Sequence, residues 1–355
     1  MTQNRVFGLD FARALAIILV ILSHFFQNFE PLGFFGVELF FALSGYLLGK
    51  IMWRIFDKGA SLPIVFNFWQ RRWFRTVPNY FLFLFLMIPF HVFVKDDVIE
   101  WSVLSEYFYF GQNLLKEISY FYGISWSLCV EEWFYLLFPL PIILFRKLGF
   151  KSINSFLFTI VLFYISCFII KNYLLATGIH NLRMVALGRL DSITSGVLIA
   201  VIRQNFDIKT NVLAFLSLLL FLLSIGIMII SNKDLSENMS LLFLVPLSFA
   251  LILPKIEQLK SPEKKFDFIN RAVTNLSLWS YSIYLSHIPL LFTLYFLTDN
   301  LTSSLYMKLL VKILGFILTL FVSKWLFVYF ETPLTNRRPK EIRSISLAFT
   351  KKIQL

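Results

Sequence analysis

Cysteine is nearly missing from this 355-residue chain: there are two, Cys129 and Cys167, each inside an apolar run. A disulfide framework and a thiolate metal cage are therefore excluded, and the pair reads as small core residues. Histidine is also scarce, with four in the whole chain, and no His/Cys cluster has metal-ligand spacing. Charged residues amount to 15%, well short of the roughly 25% of an ordinary soluble domain. That shortage excludes a water-soluble globule. The charges present are unbalanced, 33 Lys and Arg against 21 Asp and Glu, a formal net +12. Nucleic acid is not the implied partner, because the basic residues sit in short connections between apolar runs rather than on one patch. A cleavable signal peptide is not expected, since Asp10 and Arg13 interrupt the first apolar run and no small-residue cleavage site follows it.

What is present is apolar: 58% hydrophobic residues, 43 of them Phe, and a mean hydropathy of +0.73. A bilayer core needs about 20 apolar residues per helical span. Ten runs meet that length, within a few residues at each boundary: Phe7–Phe26, Phe34–Trp53, Val77–Val94, Ile124–Phe145, Ser152–Leu174, Met184–Ile202, Val212–Ile230, Met239–Leu253, Leu276–Leu297 and Leu305–Phe330. The expected fold is an all-α polytopic membrane protein of about ten transmembrane helices. With the N-terminus placed in the cytoplasm, 23 Lys and Arg fall in cytoplasmic segments and six outside, the asymmetry that sets orientation. Both termini are thus expected to be cytoplasmic, with residues 1–335 forming one membrane domain and 336–355 a basic tail. The longest outside connection, Lys95–Gly123, mixes acids with Trp101, Tyr107, Phe108 and Tyr109 and reads as an interfacial helix or a lid.

Ionisable groups inside spans are costly and mark functional paths. Along the first span, Asp10, Arg13, Ile17, Val20 and His24 keep to one helical face at about 100° per residue. The fourth span opens with Trp126-Ser127-Leu128-Cys129-Val130-Glu131-Glu132. This places its two carboxylates level with His24, where one could orient the imidazole as a general base. Either acid could instead pair with a span arginine. Arg71, Arg72 and Arg75 open the third span as positive-inside anchors or as a fork-donor cluster suited to phosphates. The second span carries Glu38 amid Gly33, Gly36 and Gly45, small residues that permit close helix approach. Arg189 and Asp191 lie in the sixth span, and Tyr281, Tyr284 and His287 share a face of the ninth, where His287 reads as a hydrogen-bonded structural histidine. Glu331-Thr332-Pro333 reads as a clasp closing the last helix.

Together these segments resemble the acyltransferase-3 family of bacterial integral membrane acyltransferases, which includes O-antigen and exopolysaccharide O-acetylases. The resemblance rests on Leu9-Asp10-Phe11-Ala12-Arg13-Ala14 with His24, the block from Gly36 to Gly45, Arg71-Arg72-Trp73-Phe74-Arg75, Trp126 to Glu132 with Phe134-Tyr135, Arg189-Leu190-Asp191, and Tyr281 to His287. Phe11-Ala12 stands where Gly-Leu is common in the family, and Trp133 where Gln is common; neither removes a reacting group. The resemblance implies O-acyl transfer from cytoplasmic acyl-CoA, usually acetyl-CoA and with no metal, to a hydroxyl of a carbohydrate acceptor at the outer face, such as lipopolysaccharide, capsule or peptidoglycan. It implies His24 as the catalytic residue, with Glu131 and Glu132 beside it, and Arg71, Arg72 and Arg75, together with Arg13, on the donor. Asp10, Glu38, Trp126, Ser127, Arg189, Asp191, Tyr284 and His287 would bind or support. A multi-pass protein of the bacterial inner membrane is implied, with no fused extracytoplasmic domain. A transporter or flippase of a lipid-linked glycan is the alternative that ten spans and a buried polar stripe also suit.

Overall fold

Apolar runs of this length satisfy their backbone polar groups in lipid only as helices, and helices are what form. The computed structural model describes residues 5–57, 59–95, 98–231, 234–298 and 304–342. Its helices are α1 (Phe7–Phe25), α2 (Glu30–Phe56), α3 (Leu62–Phe90), α4 (Trp101–Tyr107), α5 (Trp126–Leu137), α6 (Pro139–Lys147), α7 (Ser152–Ala176), α8 (Leu190–Asn205), α9 (Thr210–Ile230), α10 (Met239–Ile256), α11 (Asp267–Thr298), α12 (Leu305–Leu326) and α13 (Thr332–Asn336). Nine segments among the described residues are long and apolar enough to cross a bilayer. The all-α polytopic expectation stands. The fourth span is α5 and α6 joined at Phe138, where Pro139 begins the second piece.

The sixth expected span, Met184–Ile202, is corrected. Only its part from Leu190 onward is α-helical: α8 has 16 residues, about 24 Å at 1.5 Å per residue. Short 3₁₀ turns precede it, Leu182–Met184 and Ala186–Arg189. The cause is competition for backbone groups. The amides of Ala186 and Leu187 bond the carbonyls of Asn113 and Leu114 at 2.8 and 3.2 Å, and Asn113 Nδ2 donates to the Met184 carbonyl at 2.5 Å.

Helix α8 nevertheless lies at the centre of the bundle, packed against α2. Small residues make that approach possible, as expected for the second span. A Cβ on Gly196 would stand 2.1 Å from the Ala42 carbonyl oxygen, and one on Gly45 would stand 1.9 Å from that of Ile193. The lipid-facing helices look different. On α9 Phe215, Leu218, Leu222 and Ile230 are all exposed, which in a membrane is the apolar side. Cys129 and Cys167 are buried and unpaired with each other, the core role expected of them.

The long connection contains α4, whose Leu104 and Tyr107 are buried while Trp101 is 79% exposed. It is pinned to α3 by Tyr80, whose hydroxyl donates to the Tyr107 carbonyl at 2.8 Å. Asp96 and Asp97 of that connection, and residues 343–355 of the basic tail, lie outside the described residues. The start of the tail is docked on α3: Asn67 donates to the Lys340 carbonyl and accepts from the Ile342 amide.

Candidate active site

Helix α1 carries its polar stripe straight toward α11. Near the start of α1, Asp10 accepts from Ser277 Oγ at 2.7 Å and from Arg5 Nε at 2.8 Å. Near its end, His24 meets His287, with ring centroids 4.9 Å apart. Asp10 is thus a clasp between the two helices. Between them Arg13 turns into a cavity walled by α1, α2, α3, α5 and α11.

The cavity gathers basic and hydroxyl groups. Arg13, Arg72 and Arg75 line it, with Ser44, Thr76, Ser127, Glu131, Tyr135, Tyr281 and Tyr284. None of the three arginines forms an ion pair among the described residues, and the buried Nε of Arg72 has no hydrogen-bond partner. Free fork donors converging on one space suit a polyanion.

Arg71 is placed elsewhere, which corrects its expected role. Its Nη1 donates to the Pro339 carbonyl at 2.5 Å, and its Nη2 lies 4.0 Å from Glu341. On an α-helix the residue at 75 lies in angle between those at 71 and 72, so the cavity takes Arg72 and Arg75 and the docked tail takes the Arg71 flank.

The two adjacent acids also part company. Successive helical residues point about 100° apart. Glu131 faces the cavity and accepts from the Tyr135 hydroxyl at 2.8 Å. Glu132 faces α3 and accepts from Thr76 Oγ1 at 2.5 Å. Neither carboxylate bonds His24, so the expected carboxylate support for the imidazole is not what the fold builds.

His287 occupies that position instead. Each histidine has its Nδ1 against a helical carbonyl four residues back: His24 on Val20 at 2.9 Å, His287 on Ile283 at 3.1 Å. A carbonyl oxygen only accepts, so each Nδ1 carries the proton. The Nε2 of neutral His287 is then a bare acceptor, 3.3 Å from the Nδ1–H of His24. The Nε2 of His24 is left as an unprotonated nitrogen with no partner among the described residues, on a side chain that keeps exposed surface. This is the tautomer a general base requires. His287 is fully buried and adjoins Tyr284, with ring centroids 5.8 Å apart. Tyr284 in turn lines the cavity. Its hydroxyl donates to the Ile124 carbonyl at 2.9 Å and therefore accepts from Ser127 Oγ at 2.7 Å.

The model of the acyltransferase-3 family, described as an acyltransferase domain, matches residues 6–328. The chain belongs to this family. Among its relatives, the peptidoglycan O-acetyltransferase OatA of Listeria monocytogenes is 31% identical over 159 residues, 41% of this chain and 25% of that protein. The O-acetyltransferase OatA of Staphylococcus aureus strain NCTC 8325 is 28% identical over 225 residues, 58% of this chain and 36% of that protein. The aligned part is thus well under two thirds of either relative. No solved structure matches the chain.

Several expected site residues are structural pins rather than open groups. Glu38 and Arg189 form an ion pair at 2.5 Å with both side chains fully enclosed, and Arg189 Nη1 also donates to the Leu242 carbonyl. Asp191 pairs with Lys171 at 2.5 Å. Trp126 stands edge-on to Phe41, with ring centroids 5.8 Å apart. Glu331 closes the last helix as expected, accepting from Asn79 at 3.0 Å and Ser282 at 2.8 Å. Thr76, Tyr135 and Tyr281 on the cavity wall are not among the site residues expected from sequence. Tyr135 carries a signal, four residues beyond Glu131 and so on the same helical face.

Proposed function

We propose that this chain is a membrane O-acetyltransferase that moves an acetyl group from acetyl-CoA, bound from the cytoplasmic side, to a hydroxyl of a cell-envelope carbohydrate at the outer face. The reading rests chiefly on one observation: a cavity lined by three unpaired arginines whose wall adjoins, through Tyr284 and His287, the histidine with an open Nε2. Arg13 and His24 are eleven residues apart on α1, about 16 Å along the helix. An extended pantetheine arm spans that separation. The Lys and Arg asymmetry supports placing the arginine end in the cytoplasm, at the inner membrane of a bacterium.

In this scheme the phosphates of acetyl-CoA lie against Arg13, Arg72 and Arg75, and the thioester points toward His24. The acceptor hydroxyl gives its proton to His24 Nε2 while its oxygen attacks the thioester carbonyl carbon. The C–O bond forms, the C–S bond breaks, and the leaving thiolate takes the proton back from the imidazolium. His24 Nδ1–H stays on the Val20 carbonyl at 2.9 Å, with His287 Nε2 a second, longer acceptor at 3.3 Å, and the two hold the ring and stabilise its charged form. The family and the names of both relatives favour O-acetyl transfer over transport. The test is label transfer in inverted membrane vesicles given radiolabelled acetyl-CoA outside. Label reaching lumenal glycan with wild type and not with His24→Ala is the expected result. Equal labelling by the two would overturn the role of His24, and none from wild type with envelope extract present would overturn the reaction.

A further inference from the structure

Arg183 is a cation near His24 that forms no ion pair among the described residues. It lies in the short turn Leu182–Met184 between α7 and α8. Its guanidinium carbon is 5.4 Å from the ring centre of Phe34 and 5.4 Å from that of Trp126, which grips the cation between two aromatic faces. Its Nη2 donates to the Gly33 carbonyl at 3.2 Å, and its buried Nε has no partner. Among the described residues no acid comes within ion-pairing distance of it. The two acids at this end of α2 and α8 are already matched, Glu38 to Arg189 and Asp191 to Lys171. Glu30, exposed at the same rim, forms no ion pair among the described residues either.

Its neighbours place this guanidinium next to the reacting end of the site. Gly33 is pressed against the residue before His24: a Cβ on it would stand 2.4 Å from Ser23 Oγ. Trp126 opens α5 beside Ser127, whose hydroxyl bonds Tyr284 on the cavity wall. A half-buried guanidinium with an unmet donor is costly without a counter-charge. Its planar fork matches a carboxylate or a phosphate oxygen pair.

We propose that Arg183 is the anion-recognition residue for the acceptor, so that the acceptor carries a carboxylate or phosphate close to the hydroxyl that is acylated. This rests on the acyl-transfer reading for what the bound molecule is. The anion itself is inferred from Arg183 and its clamp. The two aromatic rings and the Gly33 carbonyl hold the guanidinium in place, and its Nε keeps an unmet donor.

The experiment measures binding of three probes to the full chain in nanodiscs by calorimetry, without acyl-CoA. The probes are a galacturonate pentamer, a galactose pentamer and a glycerol-phosphate pentamer. At least one acidic probe is expected to bind about tenfold or more tightly than the neutral one at low salt, and which one does so distinguishes carboxylate from phosphate. Arg183→Gln should erase that preference and leave the neutral probe unchanged. Arg183→Lys, which keeps the charge and loses the fork, should retain part of it. Equal affinity for all three probes, no binding of either acidic probe, or a preference that survives Arg183→Gln overturns the proposal. If Arg183→Gln does not fold, the Arg183→Lys loss and the salt dependence of wild type still decide. In the transfer assay, Arg183→Gln should raise KM for an acidic acceptor at constant kcat. An equal fall in kcat on neutral and acidic acceptors would assign Arg183 to the reaction's oxyanion instead. Because binding is read without chemistry, a failed vesicle experiment alongside an intact acidic preference would fault the acetyl transfer and leave the anion site standing.

Discussion

Two regions of the bundle handle enclosed charge in opposite ways. Where α2, α7 and α8 meet, Arg189 and Lys171 are matched by Glu38 and Asp191, each pair at 2.5 Å and nearly or fully enclosed. In the cavity bounded by α1, α3 and α5, three arginines share the space with one facing acid, Glu131, and no ion pair forms among the described residues. Both sets hold guanidinium groups away from bulk solvent, fully buried at Arg189 and partly buried at Arg13, Arg72 and Arg75. What differs is whether the counter-charge is built into the chain. Matched pairs fix how helices meet; unmatched ones leave charge that the proposed donor's phosphates would balance.

Breaking a matched pair should therefore cost the fold, and breaking the unmatched set should cost only the reaction. The largest effect is expected from His24→Ala, a fall in transfer of about 10²-fold or more, with thermal unfolding in detergent unchanged. Loss of the melting transition together with activity would show that His24 is structural. Next, Arg189→Ala leaves Glu38 enclosed without a partner and should destabilise by about 3–5 kcal/mol, read as a drop in melting temperature. The double change Glu38→Leu with Arg189→Met should recover most of that loss, and a double variant as unstable as the single would contradict the pairing argument.

Smaller effects sharpen the comparison. His287→Phe should lower kcat by about 10²-fold, through loss of alignment of the His24 ring, without changing KM for acetyl-CoA. Partial return with His287→Asn would separate positioning from packing. Arg72→Ala should raise KM for acetyl-CoA by about tenfold, the weight of a charge-assisted hydrogen bond, with kcat near wild type. Arg71→Ala should change that KM by less than about twofold. Its partners are the Pro339 carbonyl and Glu341 rather than the cavity, and surface ion pairs contribute about 0–1 kcal/mol. Equal KM effects at 71 and 72 would erase the distinction drawn from the structure.

Much of the site is legible in the sequence because helical periodicity is strict. The spacing of Asp10, Arg13 and His24 places them on one face of α1, and all three do face inward there, toward α11 or the cavity. The glycines of α2 announce close packing, and they provide it, Gly33 and Gly36 against α1 and Gly45 against α8. The corrections share a cause. Depth alone sets Glu131 and Glu132 level with His24, yet adjacent helical residues diverge and acquire different neighbours. Proximity in sequence groups Arg71 with Arg72 and Arg75, but a tail carbonyl 268 residues further along the chain claims it.

The shortened sixth span has the same origin. Its apolar composition suits a full span, and the amides before Leu190 are diverted by Asn113 and Leu114, which composition does not reveal.

Composition and periodicity alone settle that this chain is a helical bundle in lipid, because 58% apolar residues in long runs have no other way to satisfy a buried backbone. The same local rules settle which face of each helix is polar. Which polar groups meet is a matter of how the helices cross. Contacts such as His24 with His287, or Glu38 with Arg189, join positions 263 and 151 residues apart, and nothing in local spacing ranks one distant partner over another. Packing chose them, and in choosing left Arg13, Arg72, Arg75 and Arg183 without an ion pair among the described residues.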